Sequence, residues 1–219
     1  NGFTIDGISH TECDSVWTPL WGENDSIVEN YKGMTVALAK GNTRMDIEFR
    51  AFDDGVGFRY ILPYSGDSAI VIQSETTSFA MTGNHIAWWI PMDYDSQEYE
   101  YTECRLLDIP AKGVQTSLMM KTDTGLYLNI HEAALVNFPA MHLDFNKKNM
   151  TFRSHLTPRP DGTAARVAAP FRTPWRTVTV SDRATCILAS DLILNLNEPC
   201  RIEDTSWIHP ALHFDSGYL

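Results

Sequence analysis

The sequence predicts an all-β, single-domain sandwich, and three observations predict it. Apolar residues recur at every second position in about a dozen short runs, the period of strands with one buried face. Turn-forming residues separate those runs at roughly 8–12-residue intervals. No segment carries a sustained apolar stripe of helical period. At 219 residues one such unit can bury a substantial core.

Residues 1–29 are polar and turn-rich, with Trp17 and Trp21 around Thr18-Pro19; this predicts an arm packed on the body rather than a loose tail. Residues 34–39 read as a short strand ending in the turn at 40–42. Met45, Ile47, Phe49 and Ala51 then alternate with Asp46, Glu48 and Arg50, a half-solvated antiparallel strand. Asp53-Asp54-Gly55 is a hairpin signal, and 56–62 returns as the partner, where Gly57 predicts a bulge or a close backbone approach. Further strand is expected in the β-branched stretch 69–81, and 86–101 is dense in aromatics and acids.

Residues 117–121 pair across the turn at 122–125 with a strand that ends at Glu132, and 141–145 pairs with 150–156. Residues 157–173 form a Pro/Gly/Ala-rich loop. Residues 175–180 are a strand, 184–190 one short helix, and alternating Leu192, Leu194 and Leu196 a last strand.

Composition narrows the function. The net charge of -11, with no basic cluster, leaves no electrostatic footprint for nucleic acid and makes a hard cation such as calcium a plausible partner. No apolar run approaches the ~20 residues that span a bilayer. The chain opens at Asn1 without a leader, the expectation for a processed chain or a piece of a longer one. Cys13, Cys104, Cys186 and Cys200 form no C-x-x-C pair, which argues against a zinc ribbon, and free, mostly buried thiols are expected.

Two stretches carry chemistry. In 125–138, alternation puts Glu132 on the same face as Leu128 and Ile130. A carboxylate ending an apolar row either pairs with an arginine or bends into water, or it ligates a metal or serves an active site. His131 beside it points to the opposite side. In 88–101, Trp88, Trp89, Tyr94, Tyr99 and Tyr101 offer flat faces and Asp93, Asp95 and Glu98 accept hydroxyl hydrogen bonds, the ingredients of a sugar-facing surface. Core packing is the competing reading for both tryptophans, which alternation places on opposite faces. No nucleophile elbow, phosphate loop or zinc-protease helix occurs, and residue chemistry alone finds no catalytic set.

Several segments together resemble the N-terminal domain of glycoside hydrolase family 97: WTPLWGE at 17–23, FRAFDDGVGFRY at 49–60, WWIPMDYDSQEYEY at 88–101, GLYLNIHEAAL at 125–135, FRTPWRTV at 171–178 and LILNLNEPCRIEDTSWI at 192–208. The resemblance implies a β-supersandwich of the galactose mutarotase-like kind over 1–210, from an exo-acting α-glucosidase or α-galactosidase, typically a periplasmic enzyme of gut Bacteroides-like bacteria. It implies a catalytic (β/α)8 barrel, absent from this chain, on which the supersandwich packs. It also implies that Glu132 is lent to an active-site calcium ion, and that the substrate is an α-linked oligosaccharide. Trp88, Trp89, Asp95 and Glu98 are the expected substrate contacts. Residues 211–219 do not resemble the family's continuation into the barrel and are expected to be a divergent or truncated tail. The chain alone is then expected to lack activity, because the carboxylate pair a glycosidase needs is on the barrel. A homodimer through the uncovered barrel-facing surface is also expected. Two rival readings are a free-standing carbohydrate-binding module and a mutarotase-like epimerase, which would need a His and a Glu on one site.

Overall fold

The alternation that predicts strands also decides which side of each strand is covered. The structure, a computed structural model, describes residues 2–63 and 69–207. In chain order the strands are β1 (Thr4–Trp17), β2 (Ile27–Lys40), β3 (Thr43–Phe52), β4 (Gly55–Leu62), β5 (Ile70–Ile72), β6 (Ser78–Ala80), β7 (Ile86–Trp89) and β8 (Thr102–Arg105). There follow β9 (Gly113–Gln115), β10 (Leu118–Lys121), β11 (Tyr127–Ala133), β12 (Met141–Asn146), β13 (Thr151–Leu156), β14 (Ala165–Val167), β15 (Phe171–Arg172) and β16 (Trp175–Ser181). Two short helices, α1 (Ala184–Leu188) and α2 (Leu192–Asn195), complete the described elements.

The predicted all-β supersandwich is what the structure shows. A large antiparallel sheet runs β1-β2-β3-β4-β16-β11-β10-β7-β8, with β15 also on β4, and a smaller one runs β6-β13-β12-β9. The main core lies between them: Ala87, Trp89, Leu118, Met120 and Ile130 from the large sheet meet Phe79, Val114, Met141, Leu143 and Phe152 from the small one. A second apolar cluster, Ala133, Trp175, Leu192 and Leu196, sits where α2 covers the other face of the large sheet.

Both expected hairpins in the middle of the chain form, β10 with β11 and β12 with β13. Gly57 marks a close approach and not a bulge. The β3–β4 register runs unbroken past it, while a Cβ there would lie 2.5 Å from Leu196 Cδ1 of the α2 segment. The stretch 69–81 divides between β5 and β6, which belong to different sheets, and only 86–89 of the aromatic–acid stretch is strand.

Three expectations are corrected. Residues 1–29 are not an arm, since β1 is a long edge strand paired with β2 from Thr4 opposite Ala39 to Trp17 opposite Ile27. Its side chains are almost all solvent-exposed, so the sequence carries no alternation there; backbone hydrogen bonds, which leave no side-chain signature, hold it. Trp17 does pack, donating from Nε1 to Asn195 Oδ1 at 2.8 Å, but Trp21 is 75% exposed. Leu192, Leu194 and Leu196 are not a strand: the first and last are four apart, share one face of α2 and are buried, while Leu194 faces out. The four cysteines are free as expected, but Cys13, Cys104 and Cys186 are only half-buried and Cys200 is exposed. The expected tail at 211–219 lies outside the described residues. Among those residues no helix is long and apolar enough to cross a membrane.

Candidate functional site

Glu132 is the penultimate residue of β11, and the antiparallel register sets Arg176 of β16 directly opposite. Cross-strand partners share a face, so both side chains point with Ile130 toward the small sheet. The guanidinium donates from Nη1 to Glu132 Oε2 at 2.6 Å. Its other edge is taken by Glu75, from the connection between β5 and β6, with Nε to Oε1 at 2.9 Å and Nη2 to Oε2 at 2.7 Å. Glu132 Oε1 accepts the backbone N–H of Met141 at 3.0 Å. The side chains of Arg176, Glu132 and Glu75 are 0%, 6% and 7% exposed.

Two buried carboxylates thus share one guanidinium, and the cluster keeps one uncompensated negative charge. Burial pushes the Glu132 carboxyl above its ordinary range, against the opposing pull of the Arg176 charge and the Met141 N–H. Burial alone would pull Arg176 down, but hydrogen bonds and charge from Glu75 and Glu132 outweigh it and hold the guanidinium above its usual value. Of the alternatives weighed from the residues, pairing with an arginine is the contact seen. Among the described residues no group of three or more His, Cys, Asp or Glu is placed to hold a metal, so a cation at Glu132 would need ligands from outside them. Nor are Glu75 and Glu132 a glycosidase acid–nucleophile pair, because the arginine fills the space between them where a glycosidic bond would have to lie.

β11 ends just beyond this cluster. Ala134 and Asn137 take positive φ of 53° and 52°, turning the chain sharply. The turn leaves Leu135 and Val136 45% and 66% exposed. The Ala134 N–H is held by Asn197 Oδ1 at 3.0 Å, and Phe138 stacks on Phe171. His131 is on the opposite face with its Nδ1 buried and unpartnered, and burial depresses its pKa. It therefore cannot join Glu132 in the His–Glu site an epimerase would need.

The expected sugar contacts are not brought to one groove. Trp89 is in the core, 6% exposed, its Nε1 donating to Cys104 Sγ at 3.2 Å; the packing reading holds for it because its face of β7 is the covered one. Trp88 lies on the other face, bonded to Glu103 Oε2 at 2.9 Å and stacked over Tyr127. Asp95 and Glu98 are exposed on the irregular segment 91–101, capped by local turns, the Asp95 N–H on Asp93 Oδ1 and the Glu98 N–H on Ser96 Oγ.

That segment crosses to the outer face of the small sheet. There Tyr94 Oη lies 2.5 Å from His155 Nε2, and His155 Nδ1 is 3.0 Å from Asp144 Oδ2. Neither this relay nor the partners of Glu132 were singled out from sequence. The β11–β16 register is the signal that places Arg176 opposite Glu132, whereas Glu75, a single acid in a polar connection, carries no such signal.

A family model described as glycosyl-hydrolase 97 N-terminal matches residues 1–199. A solved glycoside hydrolase family 97 enzyme from Pseudoalteromonas sp. strain K8, in complex with acarbose, superposes with a TM-score of 0.89 at 37% identity, over 96% of this chain and 32% of that one. A retaining α-galactosidase of Bacteroides thetaiotaomicron is 23% identical over 238 residues, covering 94% of this chain and 35% of the relative. A probable retaining α-galactosidase of Streptomyces bingchenggensis is 30% identical over 175 residues, covering 78% and 26%. The chain spans about a third or less of the length of these relatives.

Proposed function

We propose, from the premise that this chain belongs to the glycosyl-hydrolase 97 N-terminal family, that it is the non-catalytic supersandwich of an exo-acting α-glycosidase. The relatives it matches are about three times as long, room for the barrel that would carry the chemistry. In this reading the domain, 1–210, packs on the barrel beside Glu132, and the whole enzyme is exported, in a Gram-negative cell to the periplasm.

One observation carries the reading: the end of β11 holds a buried carboxylate in a cluster with net negative charge. Such a charge is costly without a counter-ion, and a hard cation at the junction with a second domain would offset it. Both Glu132 oxygens already accept one hydrogen bond, but each carboxylate oxygen has a further lone pair, so Glu132 fits as one ligand of a calcium ion completed from the barrel. Calcium bound there would orient the substrate and the barrel's carboxylates by its fixed charge. The residues of this chain hold Glu132 in place: Arg176 and the Met141 N–H set its direction.

The division of labour is tested with p-nitrophenyl α-glucoside and α-galactoside. The expected result is no release of p-nitrophenol by the purified chain and release from one of the two by the full-length enzyme. Turnover by the chain alone would overturn it.

A further inference from the structure

We infer that Glu75 is a positioning residue for Glu132: by engaging one whole edge of the Arg176 guanidinium it limits the arginine to a single bond on Glu132, and so leaves the pair of acids the net negative charge a cation requires. The inference rests on the calcium reading above and goes beyond it, since it assigns a role to a residue that would not touch the ion.

The hydrogen bonds carry the case. A guanidinium is a rigid fork whose Nε/Nη edge matches a carboxylate bidentately. Here that edge is spent on Glu75, at 2.9 Å and 2.7 Å, and only Nη1 is left for Glu132. Glu132 accepts that single bond on Oε2, while Oε1 is turned to the Met141 N–H. Were Arg176 free of Glu75, the same fork could swing onto Glu132 and neutralise it outright.

The geometry is also firmly set. Arg176 is fully buried and both acids are nearly so, which leaves their charges weakly screened. Glu75 arrives from the β5–β6 connection, whereas its two partners stand on adjacent strands of the large sheet, so the clasp joins separate layers at the end where Glu132 is presented.

The test is calcium titration calorimetry on the full-length enzyme, with melting in excess chelator as a separate readout of folding. Glu75→Gln removes the neutralising acid and is expected to weaken calcium binding roughly tenfold or more, given the strength of unit charges at short range in a buried site. Glu75→Gln combined with Arg176→Gln restores the net charge of the cluster and is expected to recover most of that loss. A role confined to stability would give the opposite order, because the double variant has lost every bond of the clasp. Calcium affinity within about twofold of wild type in Glu75→Gln, or no recovery in the double variant, overturns the inference while Glu132→Gln still loses binding. If Glu132→Gln binds calcium as tightly as wild type, the calcium reading itself falls and takes this inference with it. Should Glu75→Gln fail to fold, the double variant compared with Glu132→Gln decides the matter, near-wild-type affinity in the double variant supporting the inference and a loss as deep as that of Glu132→Gln overturning it.

Discussion

His131 and Glu132 are chain neighbours with opposite fates, because a strand sends adjacent side chains to opposite faces. Glu132 enters a cluster where three side chains neutralise all but one charge. His131 enters a half-covered site with no partner for Nδ1, and burial holds its pKa down, as it does for His85 and His142. A histidine depressed in the folded state binds protons more readily when unfolded, so its contribution to stability is present above the unfolded pKa and is lost as pH falls below about 6.5. The raised Glu132 acts in the reverse sense, favouring the fold as its carboxyl protonates. Replacing His131 by Asn isolates the first effect. The fall in urea midpoint between about pH 7.5 and pH 5.5 is expected to be smaller in His131→Asn than in wild type, and an unchanged fall would mean His131 titrates alike in both states.

At the scale of an element, residues 192–196 show how one apolar pattern serves two structures. Leucines at every second position fit a strand, but the outer two also fall four apart and so line one helical face. The choice was made by what lies beneath: Gly55 and Gly57 have no side chains, and the leucines of α2 fill the space a Cβ would claim. Asn195 then pins the helix, accepting from Trp17 Nε1 and donating to the Val28 carbonyl at 2.9 Å. Leu192→Ala is therefore expected to cost about 2–5 kcal/mol, and Leu194→Lys no more than about 0.5 kcal/mol, in urea denaturation. Equal costs would argue for a strand with both leucines on its covered face.

At the scale of the whole molecule, the sandwich has one end where a buried charge cluster, an exposed turn and two exposed aliphatic side chains meet. In the proposed enzyme that end faces the barrel. Without the barrel, Leu135 and Val136 would be left in water, and the isolated chain is expected to self-associate through them at high concentration. Sedimentation equilibrium checks this: Val136→Lys is expected to shift the chain toward monomer, and an unaltered association constant would place the contact elsewhere.

Much of this architecture was legible beforehand because it depends on side-chain chemistry repeated along the strand. The two central hairpins, the face carrying Glu132 and the opposed tryptophans all follow from a period of two and from turn residues. The β1 edge strand and α2 did not, since the former is held by backbone bonds and the latter by a gap over two glycines far away in sequence. The same holds for the site. That Glu132 must meet a cationic partner follows from burying a carboxylate at all. Which group meets it, and that Glu75 shares it from 101 residues away, depends on strand register and layer packing, which exist only once distant segments have come together.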